Sequence, residues 1–266
     1  MKKISMIIVM LIVTMIISSG CSSKDDNTLV VGMELAYPPF ETTDKDGKPS
    51  GISIDLANEL GKYLGRTVKI ENIAYSGLIP SLTTKKVDMV LSSMTITEER
   101  KNTVDFSEPY CKAYLALLIN KNSAVSSIKD LNHKGKKVAV KKGTTGYFYA
   151  MKNLKNAEIL VFDKETACVL EVAQGRADAF IYDQMTIFKN WQQYESSTKA
   201  LLEPFNDYEY WGIALRKGDS ELRNNINTFL KEYEEQKGFE KLSDKYLGDI
   251  KKEFDKRKIP FFFGSK

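Results

Sequence analysis

Residues 67–100 read TVKIENIAYSGLIPSLTTKKVDMVLSSMTITEER. Thr67 to Ile73 and Val87 to Leu91 read as strands, with a helix near Leu78 to Thr84 between them and another opening near Thr97. Parallel neighbours need a crossover element, so this βαβα order predicts an α/β architecture with a largely parallel sheet.

The pattern extends in both directions. Upstream lie a strand at Leu29 to Met33 and a helix over Asp55 to Leu64, with Leu56, Leu60 and Leu64 at helical spacing. Downstream, the apolar stretch Tyr114 to Asn120 is followed by polar Lys121-Asn122-Ser123-Ala124, after which the alternation restarts. A second lobe is expected from here. Its strands are Lys137 to Val140, Ile159 to Phe162 and Ala177 to Tyr182; its helices are Thr145 to Leu154, Thr166 to Gln174 and Gln184 to Trp191. A strand at Tyr210 to Leu215 and helices at Ser220 to Tyr233 and near Gly238 to Leu247 follow. The basic tail with Phe261-Phe262-Phe263 is expected to fray.

The amino terminus has the shape of a secretory signal: Met1-Lys2-Lys3 precedes an apolar run from Ile4 to Ile17 that ends at Ser18-Ser19-Gly20-Cys21. The run is shorter than the about 20 residues a spanning helix needs. Small residues before a cysteine resemble the lipobox of bacterial lipoproteins, which implies a lipid on Cys21 and a membrane anchor. Ser18 stands where that motif usually has leucine. Removing residues 1–20 leaves 246 of the 266 residues with a formal charge of +2, a balance that does not point to nucleic acid. That length suits one large domain or two of about 120 residues. Ser22 to Asn27 reads as a flexible tether.

Cys111 and Cys168 are the cysteines beyond the anchor, and export would permit them to pair, although Cys168 in a helical stretch reads as a buried thiol. With one histidine, His133, and no clustered ligand spacing, neither a metal site nor a cofactor is expected.

Two segments carry binding chemistry. Tyr37-Pro38-Pro39-Phe40-Glu41 follows the first strand, and its diproline stiffens a loop that can hold an aromatic ring at the sheet's end. Ser92-Ser93-Met94-Thr95-Ile96-Thr97-Glu98-Glu99-Arg100 leaves another strand with hydroxyls, backbone amides and an arginine close together. An arginine matches both oxygens of a carboxylate, and hydroxyls fill the remaining lone pairs. Taken alone, this segment reads equally as a loop before a solvated helix start.

With Gly51 to Ala57, Leu78 to Leu82, Val87-Asp88-Met89, Val104 to Ser107, Lys136 to Val140, Gly143 to Gly146, Gly175 to Ala179 and Tyr182-Asp183, these motifs resemble the polar amino-acid branch of the solute-binding proteins that serve ABC importers. The resemblance covers nearly all of the chain beyond the signal. It implies a two-lobed periplasmic-binding-protein fold of type II, with the ligand cleft between lobes that close by a hinge motion. The expected divisions are signal peptide 1–20, tether 21–27, lobe one 28–114, lobe two 115–207, a return to lobe one over 208–250 and a tail 251–266. Two crossing strands would fall near Tyr114 to Leu117 and Leu202 to Asp207.

The resemblance also implies roles. Arg100, Thr95 and Thr145 would hold a free L-amino acid's α-carboxylate, Asp183 and Ser93 its α-ammonium, and Tyr37 and Tyr75 would cover its side chain. Glu34 and Lys141 match positions that face the side chain, and the alternative is that they pair with each other or with solvent. If both reach the ligand, one acceptor and one donor favour a primary amide, hence glutamine, with arginine or lysine second and cystine third. Ser53 stands where the family often has aspartate, and Lys141 where several members are apolar. The implied partners are a membrane-bound ABC transporter permease and, through Cys21, the membrane itself, for an extracytoplasmic monomer that catalyses nothing.

Two competing readings remain. A few relatives of this fold are secreted dehydratases acting on cyclohexadienyl substrates, which need an acid-base group in the cleft; His133, in a polar stretch before a strand, reads as a solvated loop residue. A sensory domain would need an output segment, and none is read after Leu247, so a sensor would have to act through a separate receptor chain.

Overall fold

The structure is a computed structural model that describes residues 27–260. The signal segment, Cys21, the tether up to residue 26 and Phe261 to Phe263 lie outside the described residues.

The chain opens with β1 (Thr28–Met33), the short β2 (Thr42–Thr43) and β3 (Pro49–Ser50), and α1 (Ile52–Tyr63). It continues through β4 (Thr67–Asn72), α2 (Leu78–Thr83), β5 (Met89–Val90), α3 (Glu98–Lys101) and β6 (Val104–Phe106). Next come β7 (Cys111–Ala113), β8 (Leu115–Asn120), β9 (Lys137–Lys141), α4 (Thr145–Asn153), β10 (Glu158–Phe162), α5 (Glu165–Ala173), β11 (Ala179–Asp183), α6 (Gln184–Gln193) and β12 (Thr198–Leu201). It ends with β13 (Glu209–Trp211), β14 (Ala214–Arg216), α7 (Ser220–Glu235) and α8 (Gly238–Arg257).

Two five-stranded sheets result, ordered β4-β1-β5-β14-β6 and β10-β9-β11-β8-β12. In each, three neighbouring strands are parallel and the fourth is antiparallel to the third. The parallel trios are the βαβ units expected from the alternation. The antiparallel fourth strands are the ones that enter after the chain has crossed from the other sheet.

Each sheet is buried on both faces. Leu115, Leu117 and Ile119 of β8 pack towards Ala150 of α4, while Ala116 and Leu118 pack towards Val169 and Val172 of α5. Strand side chains alternate between faces, so a central strand covered on both sides must be largely apolar, as β8 is from Leu115 to Ile119. In the first lobe one face packs on α1, α7 and α8, with Leu56, Leu60, Phe229 and Leu242 in the core, and the other meets Leu78 and Leu82 of α2.

Between the sheets lies a two-stranded antiparallel ladder of β7 with β13, Glu209 opposite Ala113 and Trp211 opposite Cys111. This pairing is offset from the crossings expected near Tyr114 to Leu117 and Leu202 to Asp207. The expected strand at Tyr210 to Leu215 is broken in two, β13 joining the ladder and β14 the first sheet. At the break, a Cβ on Gly212 would stand 2.8 Å from the Ile96 side chain, so any larger residue would have to push Ile96 aside.

The tail needs correction. The last helix continues to Arg257, because Phe254 is fully buried and meets the Phe188 ring of α6 edge-on at 5.1 Å. The Arg257 guanidinium caps the same patch over Phe188 and Trp191. Cys111 and Cys168 are buried free thiols and do not pair; Cys168 sits in the core between α5 and its sheet, and burial pushes its pKa up to about 12.

Candidate ligand-binding site

A cavity lies between the two sheets, and Glu34, Tyr37, Tyr75, Ser93, Thr95, Thr145 and Asp183 all line it. Arg100 and Lys141 stand behind that lining, buried at 7% and 1% exposure. The residues expected to bind a ligand are therefore gathered in one place, with the two cations in its walls. The open space is ≈ 40 Å³, enough for roughly three water molecules. An amino acid needs side chains to move or the lobes to part.

Chain geometry explains the gathering. Glu34 directly follows β1, Ser92 and Ser93 leave β5, Lys141 ends β9 and Asp183 ends β11. Ligands in open α/β sheets meet the carboxyl ends of strands, and here the strand ends of both sheets face one cleft. The Glu34 amide donates to Ser92 Oγ at 3.0 Å, joining neighbouring strand ends. Ser93 adopts a left-handed φ of 47° and donates from Oγ to both Glu41 carboxylate oxygens, at 2.9 and 3.2 Å. Such conformations persist where surroundings hold them in place. Gly51 fixes the Tyr37 loop: with φ at 122°, a Cβ there would fall 2.4 Å from the Phe40 carbonyl oxygen.

Arg100 follows Thr97, whose hydroxyl accepts from the Arg100 amide at 3.2 Å and starts α3. Its guanidinium donates to the Thr95 carbonyl, to Tyr75 Oη at 3.3 Å and, across the cleft, to the Gly143 carbonyl at 3.0 Å. Asp183 caps α6, its Oδ1 accepting from the amides of Met185 and Thr186 at 3.0 Å each. Burial raises its pKa, and these bonds restrain the rise. The Tyr37 hydroxyl lies within reach of Asp183 and Thr186 but completes no well-formed hydrogen bond. Glu34 and Lys141 meet in an ion pair across the cleft, which is the alternative reading of those two positions.

Glu41, Glu209, Trp211 and Tyr182 are among the lining residues that had no role from sequence. Glu41 is fully buried and accepts from Ser53 as well as Ser93; burial pushes its pKa up to about 8 despite those bonds and the Lys141 charge. Its position in the quoted loop motif could have flagged it. Glu209 accepts on Oε2 from Thr95 at 3.1 Å and Thr145 at 2.9 Å. Trp211 and Tyr182 flank the Tyr37 ring edge-on, each with centroids 6.1 Å away. Neither Glu209 nor Trp211 carries a local signal, since β13 is three residues long. His133 is exposed, outside this cavity. No group of three or more potential metal ligands occurs among the described residues.

The arrangement suits a zwitterion: cation, hydroxyls and a helix amino terminus on one side, an acid on the other, with aromatic walls. Residues 29–249 match the family model described as bacterial extracellular solute-binding proteins, family 3. The chain is 31% identical over 227 residues to the L-cystine-binding protein TcyJ of Escherichia coli, covering 85% of this chain and 84% of that one. An ancestral arginine-binding protein bound to glutamine superposes with a TM-score of 0.77 at 37% identity, over 85% of this chain and all of that one. An ancestral amino acid-binding protein described as a precursor of cyclohexadienyl dehydratase gives a TM-score of 0.76 at 39% identity, over 83% and 95% of the two chains.

Proposed function

This chain belongs to the bacterial extracellular solute-binding proteins, family 3, and we propose that it captures a free polar L-amino acid between its lobes and hands it to an ABC transporter permease. The observation that carries this reading is the convergence of Arg100, Thr95 and Thr145 with Asp183 on one interlobe cavity. The α-carboxylate is held by the Arg100 guanidinium and the two threonine hydroxyls, and the α-ammonium by Asp183 with Ser93. Because Thr145 and Asp183 come from the second lobe and Arg100, Thr95 and Ser93 from the first, one ligand is gripped from both sides. Binding then favours closure, which is the state a transporter distinguishes.

For the side chain, glutamine or a similar uncharged polar residue fits best. The basis differs from a free acid facing a free lysine: Glu34 and Lys141 pair, so together they present a neutral dipole, and Glu41 holds its proton to about pH 8. A primary amide meets such a surface without bringing charge. A cationic side chain is the second reading, favoured by four cavity-lining acidic side chains, Glu34, Glu41, Asp183 and Glu209. Cystine ranks third.

A melting-temperature screen against the common amino acids tests the assignment, since a ligand at 100 times its dissociation constant stabilises the fold by about 2.7 kcal/mol. Calorimetry in two buffers of different ionisation enthalpy separates the two readings. A cationic side chain beside Glu41 expels its proton on binding; glutamine does not. No shift with any amino acid, together with product formed from prephenate or arogenate, would instead favour a dehydratase.

Family membership places the protein outside the cytoplasm, and among the described residues no helix is long and apolar enough to cross a membrane. Attachment through a lipid on Cys21, as a monomer, completes the proposal.

A further inference from the structure

The Glu209 carboxylate stands where hydroxyls from opposite lobes meet. Its Oε2 accepts from Thr95, which follows β5, at 3.1 Å and from Thr145, which opens α4, at 2.9 Å. Burial raises the Glu209 pKa, and the two hydroxyl bonds and the nearby Arg100 charge restrain that rise. Thr95, Thr145 and Arg100 are the residues assigned above to the ligand's α-carboxylate.

Each hydroxyl has one proton to donate. While Thr95 and Thr145 both donate to Glu209, neither can donate to an arriving carboxylate, and two carboxylates sharing one seat repel. We propose that Glu209 is a specificity-determining residue, an internal stand-in for the ligand's α-carboxylate that ties the lobes together and must be displaced when an amino acid binds. The proposal rests on the amino-acid reading of the cleft.

The backbone allows the exchange. Glu209 is the first residue of β13, paired opposite Ala113 in the interlobe ladder, so its side chain can rotate away while the ladder stays paired. A competitor inside the site reduces affinity by the fraction of molecules whose seat is free. If Glu209 holds the seat in about nine molecules of ten, apparent affinity falls about tenfold. Only ligands with an α-carboxylate bear that loss, because an amine without one can engage Asp183 while Glu209 stays.

The test titrates L-glutamine, L-arginine and agmatine, which is arginine lacking its α-carboxylate, into the parent protein, Glu209→Ala and Glu209→Gln. The expected result is that Glu209→Ala tightens binding of the amino acid that the parent prefers about tenfold and leaves agmatine no tighter. Glu209→Gln, which can still accept from both threonines but carries no charge, should fall between. Unchanged or weaker amino-acid binding in a folded Glu209→Ala protein overturns the proposal. Small-angle scattering without added ligand supplies an independent reading: removing the tie should give Glu209→Ala a larger radius of gyration than the parent, and an equal radius overturns the tie. If the parent binds no amino acid, the functional reading above fails, while the scattering comparison still decides whether Glu209 joins the lobes.

Discussion

Lys141, at the end of β9, meets Glu34, just past β1, in an ion pair that spans the two lobes with the lysine side chain fully buried. Breaking one side of such a pair costs more than the pair contributes, because the remaining charge is stranded in a water-poor site. The Glu34 carboxylate also accepts from the Tyr75 amide at 3.2 Å, and Lys141 stands 5.5 Å from the Tyr75 ring centroid.

Replacing Lys141 with methionine should therefore change ligand ranking. Lys141→Met leaves Glu34 as an unpaired acid beside the side-chain pocket, so glutamine binding weakens and arginine or lysine binding improves. Calorimetry across the amino-acid panel measures this, and a ranking equal to the parent's would show that the pair lies beyond the ligand's reach.

Glu41 makes stability depend on pH. Its folded pKa is about 8 against 4.5 for the free side chain, so its contribution is fully present below about pH 4.5 and is lost as pH rises through about 8. Glu41→Gln keeps an acceptor for Ser53 and Ser93 without a titrating proton. The melting temperature of this variant minus that of the parent should grow steadily across that interval. A difference that is flat with pH would mean that Glu41 is ionised in the folded protein.

Phe254 anchors the end of α8 on the second lobe's α6. Phe254→Ala should destabilise the fold by about 3 kcal/mol, the usual cost of emptying a buried aromatic site. Thermal unfolding reads this as a drop of several degrees, whereas a frayed tail would give none.

Cys21→Ala should move the protein from the membrane fraction to the soluble secreted fraction. Persistent membrane association of the variant would exclude lipid attachment through this cysteine.

Those expectations differ in how visible their residues were beforehand. The βαβ units could be read because Leu56, Leu60 and Leu64 repeat at helical spacing and because the strands are short β-rich runs between the helices. Arg100 was reachable through the Ser92 to Arg100 segment that leaves a strand end, and Asp183 only through the family resemblance. The β7–β13 ladder was hidden because its strands have three residues each, too few for an alternating pattern to stand out in the sequence. The end of α8 was hidden for a related reason. From Lys251 to Lys258 the single apolar residue is Phe254, and its partner Phe188 is distant in sequence. Glu209 becomes part of the site only because folding brings Thr95 and Thr145 together from different lobes. The Glu34–Lys141 contact stayed open between ligand and partner until both strand ends were placed.

The central claim is that Arg100 and Asp183 hold the two charged ends of an amino acid. Titrating L-glutamine and L-arginine calorimetrically into the parent, Arg100→Ala and Asp183→Ala tests it most directly. The parent should bind, and each variant, still folded by circular dichroism, should lose affinity by a factor of hundreds to thousands, corresponding to about 3 to 5 kcal/mol for one stranded charge. Near-parental affinity in either folded variant would contradict it.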